Sequence, residues 1–206
     1  MNGVRTAELF RRISTTKVAP FGGRVERAWA AFDNKMTAIE HAWCLRLNRG
    51  CSQPAVRDIF SAISKLGDGI FWYALIVLLP VIYGEAALYP ALRMAVVGVI
   101  GVGLYKYLKS RLVRERPYIS LAGIVAGTRA LDRYSFPSGH TLHAVSFTIL
   151  AVNSFPELAW LLVPFATLIA ASRVVLGLHY PSDVAAGALI GAGLATLSMV
   201  LVPLVG

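Results

Sequence analysis

Acidic residues are scarce in this chain: eleven Asp and Glu stand against twenty Lys and Arg in 206 residues, a formal charge of +9. Charged residues of both signs make up only 15% of it, too few for the surface of an ordinary soluble domain. Cysteine is nearly absent. Cys44 and Cys51 share no metal spacing with any histidine, which argues against a disulfide scaffold or a zinc site, and both read as incidental. No G-x-G-x-x-G follows a strand pattern, and Gly98-x-x-Gly101-x-Gly103 lies inside an apolar run, which disfavours a nucleotide loop. The first 57 residues lack the apolar core of a signal peptide. No cluster of acids suits Mg²⁺, and repeats and low-complexity stretches are missing.

What the chain has instead is hydrophobicity, 56% of its residues with a mean hydropathy of +0.62. Five uncharged runs carry it, at 69–84, 94–105, 141–156, 158–172 and 184–206. A bilayer crossing takes about 20 apolar residues in a helix, so these runs predict an all-α polytopic membrane helix bundle of about five to six transmembrane helices. The run at 141–156 is short and reaches across only if its polar end sits at the interface. The Ala-Ala-Gly-Ala and Gly-Ala-Gly segments of the last run favour close helix packing in lipid.

Residues 1–57 differ in kind, with ten Lys or Arg against Glu8, Glu26, Asp33 and Glu40. They are expected to form a basic segment, flexible over 1–22, followed by amphipathic helices on an anionic membrane surface, with Trp29 and Trp43 as interfacial anchors. Residues 58–206 are expected to form the transmembrane domain. No recognition fold accompanies the basic arm, so nucleic acid is not an expected partner.

Three polar stretches interrupt the apolar part: Lys109-x6-Arg116-Pro117, then Pro137-Ser138-Gly139-His140, then Ser172-Arg173-x5-His179-x3-Asp183. Lys109 and Arg116 lie seven residues apart and share one face if a helix continues through both. Arg111 and Arg114 between them read as headgroup anchors. Ser138 is a natural N-cap and Gly139 admits close backbone approach, so the turn before the third run makes an anion site at a helix start. His140 points from that first turn, with His143 packing behind it. Asp183 lies within reach of His179 Nδ1, which would leave Nε2 outward as a lone pair. Arg173 can bind two phosphate oxygens with its planar fork. Such groups near a bilayer are costly unless they serve a function.

The three motifs, in order and spacing, resemble those of the type 2 phosphatidic acid phosphatase superfamily, in its membrane lipid phosphate phosphatase branch. The resemblance covers Lys109 to Asp183 without departure. It implies that Lys109, Arg116 and Arg173 hold phosphoryl oxygens, with the Ser138 hydroxyl and Gly139 N–H completing the cradle. By the same resemblance, His179 attacks phosphorus to form a phosphohistidine, Asp183 orients it, and His140 protonates the leaving oxygen. Three fixed cations do the work of a metal, so no cofactor is expected.

The expected substrate is a lipid phosphate, with a polyprenyl (undecaprenyl) diphosphate favoured over phosphatidic acid, phosphatidylglycerol phosphate or a phosphorylated glycolipid. A non-catalytic lipid transporter would have no need of His179 beside Asp183, and a membrane bundle suits a haloperoxidase poorly. A multi-pass protein of a bacterial inner membrane is expected. The basic arm places the motif face toward the cytoplasm by the positive-inside rule, whereas the family resemblance implies the outer face.

Overall fold

The computed structural model describes residues 23–201 apart from Leu131; the flexible tail expected over 1–22 lies outside the described residues. Seven principal helices follow one another: α1 (Gly23–Asn48), α2 (Pro54–Leu66), α3 (Ile70–Tyr83), α4 (Leu88–Leu112), α5 (Gly139–Ser154), α6 (Ala159–Val175) and α7 (Pro181–Leu201). Each of the five uncharged runs falls on one of the last five helices. The two amphipathic segments expected near 25–32 and 36–47 are one continuous helix, α1. The chain divides after Ile39, and everything described below lies from Glu40 onward.

Among the described residues three stretches are long and apolar enough to cross a membrane: Ile70–Leu112, Pro156–Val175 and Pro181–Leu201. A 3-10 turn at Gly84–Ala87 divides the first into α3 and α4. Apolar side chains stand out from the bundle, with Ile70, Val77 and Val81 of α3 each more than 60% exposed. In water that face would be a large liability; in hydrocarbon it is the solvated surface. The protein is an all-helical membrane bundle.

Its core is built on α5, the least lipid-exposed of the long helices, which packs most heavily on α7 and then on α4 and α6. Phe147, Leu150 and Ala151 of α5 meet Trp72, Leu79, Met94 and Val97 of α3 and α4, and Leu162 and Ile169 of α6. The α5–α7 contact is a backbone contact. A Cβ at Gly187 would lie 2.5 Å from the Ser138 carbonyl oxygen, and one at Gly191 would run into the Leu142 carbonyl. These small residues are the packing face expected of the last run.

All three motifs gather at one end. The C-termini of α4 and α6 and the N-termini of α5 and α7 meet there, while the turns at 84–87 and 155–158 lie at the opposite end, where Tyr83 stacks on Phe155 with ring centroids 4.0 Å apart.

Candidate active site

Helix α4 ends at Leu112, not at Pro117, so Lys109 and Arg116 do not share one helix face. Arg116 sits on extended backbone (φ −80°, ψ 151°) at the start of the single helical turn Pro117–Ser120, where Pro117 occupies a first-turn position that needs no N–H. The two cations nevertheless converge. Lys109 Nζ is 2.7 and 2.9 Å from the Asp132 carboxylate oxygens, and Arg116 Nη2 is 2.8 Å from Oδ1. Asp132 arrives on the loop before α5, which is pinned to the Arg116 segment by a single Glu115–Tyr134 bridge and by Ser135 N–H donating to the Arg114 carbonyl. Burial alone would raise the Asp132 carboxyl, but Lys109 and Arg116 outweigh it and hold the group below the usual carboxylate range.

Ser138 caps α5 as its position predicts, its hydroxyl accepting from the Thr141 N–H at 3.4 Å and lying 3.0 Å from Thr141 Oγ1. The capped end exposes Gly139 and His140 to the cavity, while the Ser138 side chain is fully buried behind it. His140 Nε2 contacts the Asp68 carboxylate from the α2–α3 turn. His143 takes its expected place behind, between the Gly139 and Gly98 carbonyls at 3.1 Å each and stacked on Phe147.

The third motif is shaped by the end of α6. Gly177 adopts φ +70°, a left-handed conformation that ends the helix, and the N–H groups of Leu178 and His179 fold back onto the Arg173 carbonyl at 3.0 Å. That turn brings the Arg173 and His179 side chains into the same cavity. Arg173 is buried and bonds the Ser64 hydroxyl of α2. His179 is buried with Nε2 3.2 Å from Arg116 Nη1, and Nδ1 stands 3.6 Å from Asp183 Oδ2. The latter separation is beyond a hydrogen bond, so the carboxylate faces the ring without bonding it. Burial, followed by Arg173, Arg116 and Lys109, pushes the His179 pKa well below its ordinary value, leaving the imidazole neutral.

Behind His179 stands a second layer that the sequence did not announce. Arg114, read from the sequence as a headgroup anchor, reaches the Asp183 carboxylate, the Ser182 hydroxyl and Glu40 of α1, so it buttresses the third motif. Burial would raise the Glu40 carboxyl, yet hydrogen bonds from Ser182 and Arg114 bring it below the ordinary value. Cys44 and Cys51 are free and buried, and burial, aided by Glu40 and Asp183, pushes the Cys44 thiol up to about 12.

The cavity holds about 760 Å³. Lys109, Arg116, Gly139, His140, Arg173 and His179 line its polar end, and it continues between α3 and α4 along Tyr73, Ile76, Val77, Val99 and Val102. A polar, cationic floor under an apolar cleft open between two helices fits an amphiphile with an anionic head. Among the described residues no group of three His, Cys, Asp or Glu side chains is placed to hold a metal ion.

A membrane helix bundle with a cationic cavity and these motifs at its helix ends defines a class, and comparison with known proteins gives the family. The family model described as PAP2 superfamily matches residues 86–205, and the chain belongs to that superfamily. It is similar to an undecaprenyl-diphosphatase of Sulfolobus acidocaldarius, 31% identical over 142 residues that cover 66% of each chain. In fold it resembles the transmembrane PAP2 type phosphatidylglycerolphosphate phosphatase of Bacillus subtilis, with a TM-score of 0.66 at 24% identity over 82% of this chain and 86% of that one. It also resembles LpxE of Aquifex aeolicus, with a TM-score of 0.61 at 26% identity over 75% and 92%. The chain spans two thirds or less of the length of the curated relatives it matches.

Proposed function

We propose that this protein is a membrane phosphatase that hydrolyses a lipid phosphomonoester or diphosphate through a phosphohistidine on His179. The observation that carries the reading is the convergence of Lys109, Arg116 and Arg173 with a buried, neutral His179 at the polar end of one cavity.

In the first step the Nε2 lone pair of His179 attacks the terminal phosphorus in line, and an N–P bond forms as the P–O bond to the leaving lipid alcohol, or to the leaving lipid monophosphate of a diphosphate, breaks. His140 gives its proton to the departing oxygen. Water then attacks phosphorus, losing a proton to His140, and the P–N bond breaks to free phosphate. The cations neutralise charge on the non-bridging oxygens throughout, the main contribution a protein makes to phosphoryl transfer. Two easier displacements replace one difficult hydrolysis. Gly139, at the positive end of α5, offers its N–H to the same oxygens, and Ser138 holds that helix start in shape.

Among lipids, a polyprenyl diphosphate is the proposed substrate. The apolar cleft between α3 and α4 accepts an extended chain beside the cationic floor, and the similar Sulfolobus protein is named for that activity. The test is phosphate release by purified protein in detergent from undecaprenyl diphosphate, phosphatidic acid, phosphatidylglycerol phosphate and a lipid A phosphate, with EDTA present. Undecaprenyl diphosphate is expected to give the highest kcat/KM, and His179→Ala and vanadate each to abolish release. Collapse of activity in EDTA would refute the metal-free mechanism.

The protein is proposed to lie in a bacterial inner membrane with the basic segment 1–57 against the anionic cytoplasmic surface. Single cysteines at positions 2 and 120, tested with an impermeant reagent, check that placement; labelling of both from outside would reverse it.

A further inference from the structure

We propose that Arg114 is a positioning residue for this reaction, holding the Asp183 carboxylate in place behind His179 and tying it through Glu40 to α1. The inference rests on the reading of His179 as the nucleophile.

Arg114 stands on the segment between α4 and Pro117 and does not line the cavity. It therefore has no direct hold on substrate, unlike its motif neighbours Lys109 and Arg116. Both terminal nitrogens of its guanidinium are engaged elsewhere. Nη1 lies 2.6 Å from Asp183 Oδ1 and 2.7 Å from Ser182 Oγ, and Nη2 lies 2.8 Å from Glu40 Oε2. Its plane covers the Tyr180 ring with the guanidinium carbon 4.0 Å from the centroid. Glu40 closes the loop, because its other oxygen accepts the Ser182 N–H at 2.8 Å.

The consequence falls on Asp183. Its Oδ2 accepts the Tyr180 N–H at 2.8 Å and its Oδ1 is taken by Arg114, so neither oxygen is free to rotate away from the His179 ring. The carboxylate is fully buried. Without Arg114 it would keep the Tyr180 N–H and the Ser135 hydroxyl but lose its charge partner, a condition that favours protonation or rotation. Either change removes the negative charge that faces Nδ1 and leaves the imidazole free to turn. A lysine cannot substitute fully, since one ammonium cannot present a planar fork to two carboxylates while stacking on Tyr180. Within this network Glu40 contributes an arm from a helix outside all three motifs.

The experiment measures kcat and KM for phosphate release by wild type, Arg114→Ala, Arg114→Lys, Asp183→Ala and the Arg114→Ala/Asp183→Ala pair, with His179→Ala alongside. Arg114→Ala is expected to lower kcat by about 100-fold, the scale of a misplacement near 1 Å at a reacting group, with KM within about threefold of wild type. Arg114→Lys is expected to recover part of that loss, and the double variant to be no slower than Asp183→Ala alone, because both act through one carboxylate. Should Arg114→Ala fail to fold, Glu40→Gln carries the test with a smaller fall in kcat, an unchanged KM and no further effect in the Asp183→Ala background. Wild-type kcat in both Arg114→Ala and Glu40→Gln, losses that multiply with Asp183→Ala, or a loss confined to KM would each overturn the proposal. Wild-type rates in His179→Ala would instead overturn the nucleophile assignment beneath it.

Discussion

Arg116 Nη1 lies 3.2 Å from His179 Nε2. A guanidinium can only donate, so Nε2 accepts and the proton of the neutral ring sits on Nδ1, the nitrogen that faces Asp183. Arg116, the proposed phosphate binder, thus also selects the tautomer that leaves Nε2, the proposed attacking nitrogen, with its lone pair. The two tasks are joined in one side chain because Arg116 enters from extended backbone rather than along α4.

The first prediction concerns pH. Burial and the surrounding cations lower the His179 pKa, so the neutral nucleophile persists as pH falls through the ordinary histidine value of about 6.5. The acid limb of kcat/KM on a diphosphate, corrected for the substrate's own ionisation, is expected below that value. A limb at or above it would contradict a depressed His179.

Leaving-group chemistry gives the second. An alkoxide leaving from a monoester needs a proton, whereas phosphate leaving from a diphosphate is already a weak base. His140→Ala is expected to reduce kcat on a lipid monoester by roughly 100-fold or more, the span of general acid catalysis, and far less on a diphosphate. Equal losses on the two would remove His140 from the acid role.

Asp132 carries the third. Its carboxylate engages Lys109 and Arg116, so a phosphate bound as proposed takes those partners over. Asp132→Asn weakens the competitor and lifts a negative charge from the site. Half-inhibition by inorganic phosphate is expected at a concentration roughly tenfold lower, equivalent to about 1.4 kcal/mol. An unchanged inhibition constant would show that the ion pairs and the anion do not compete.

The fourth tests packing. Gly191→Ala places a Cβ against the Leu142 carbonyl, which is backbone and cannot turn aside. Overpacking of this kind costs about 1–3 kcal/mol, and the melting midpoint in detergent is expected to fall. Gly193→Ala, where a Cβ would meet nothing within 4 Å, is the matched control and is expected to leave the midpoint in place.

Much of this was legible in the sequence for a physical reason. Uncharged runs must become helices in lipid, so α3 to α7 follow from composition, and Ser138 announces the start of α5 by its capping chemistry. The partners of the motif residues were not legible. Arg114 meets Glu40 across 74 residues and Arg173 meets Ser64 across 109, and no periodicity or spacing encodes such pairs. Asp132 and Asp68 stood in loops whose return path depends on tertiary packing. The shared helix face expected for Lys109 and Arg116 failed because α4 ends at Leu112, where no proline or glycine marks the stop.

One further bond joins the motifs: the Ser138 N–H donates to the Asp183 carbonyl at 3.0 Å, beside the Gly187 contact. The cap of α5 and the first turn of α7 are therefore stitched backbone to backbone. Stretching or thinning of the bilayer tilts helices, but these two are tied to tilt as a pair, which holds the Ser138 turn at a fixed distance from the Asp183 carboxylate behind His179.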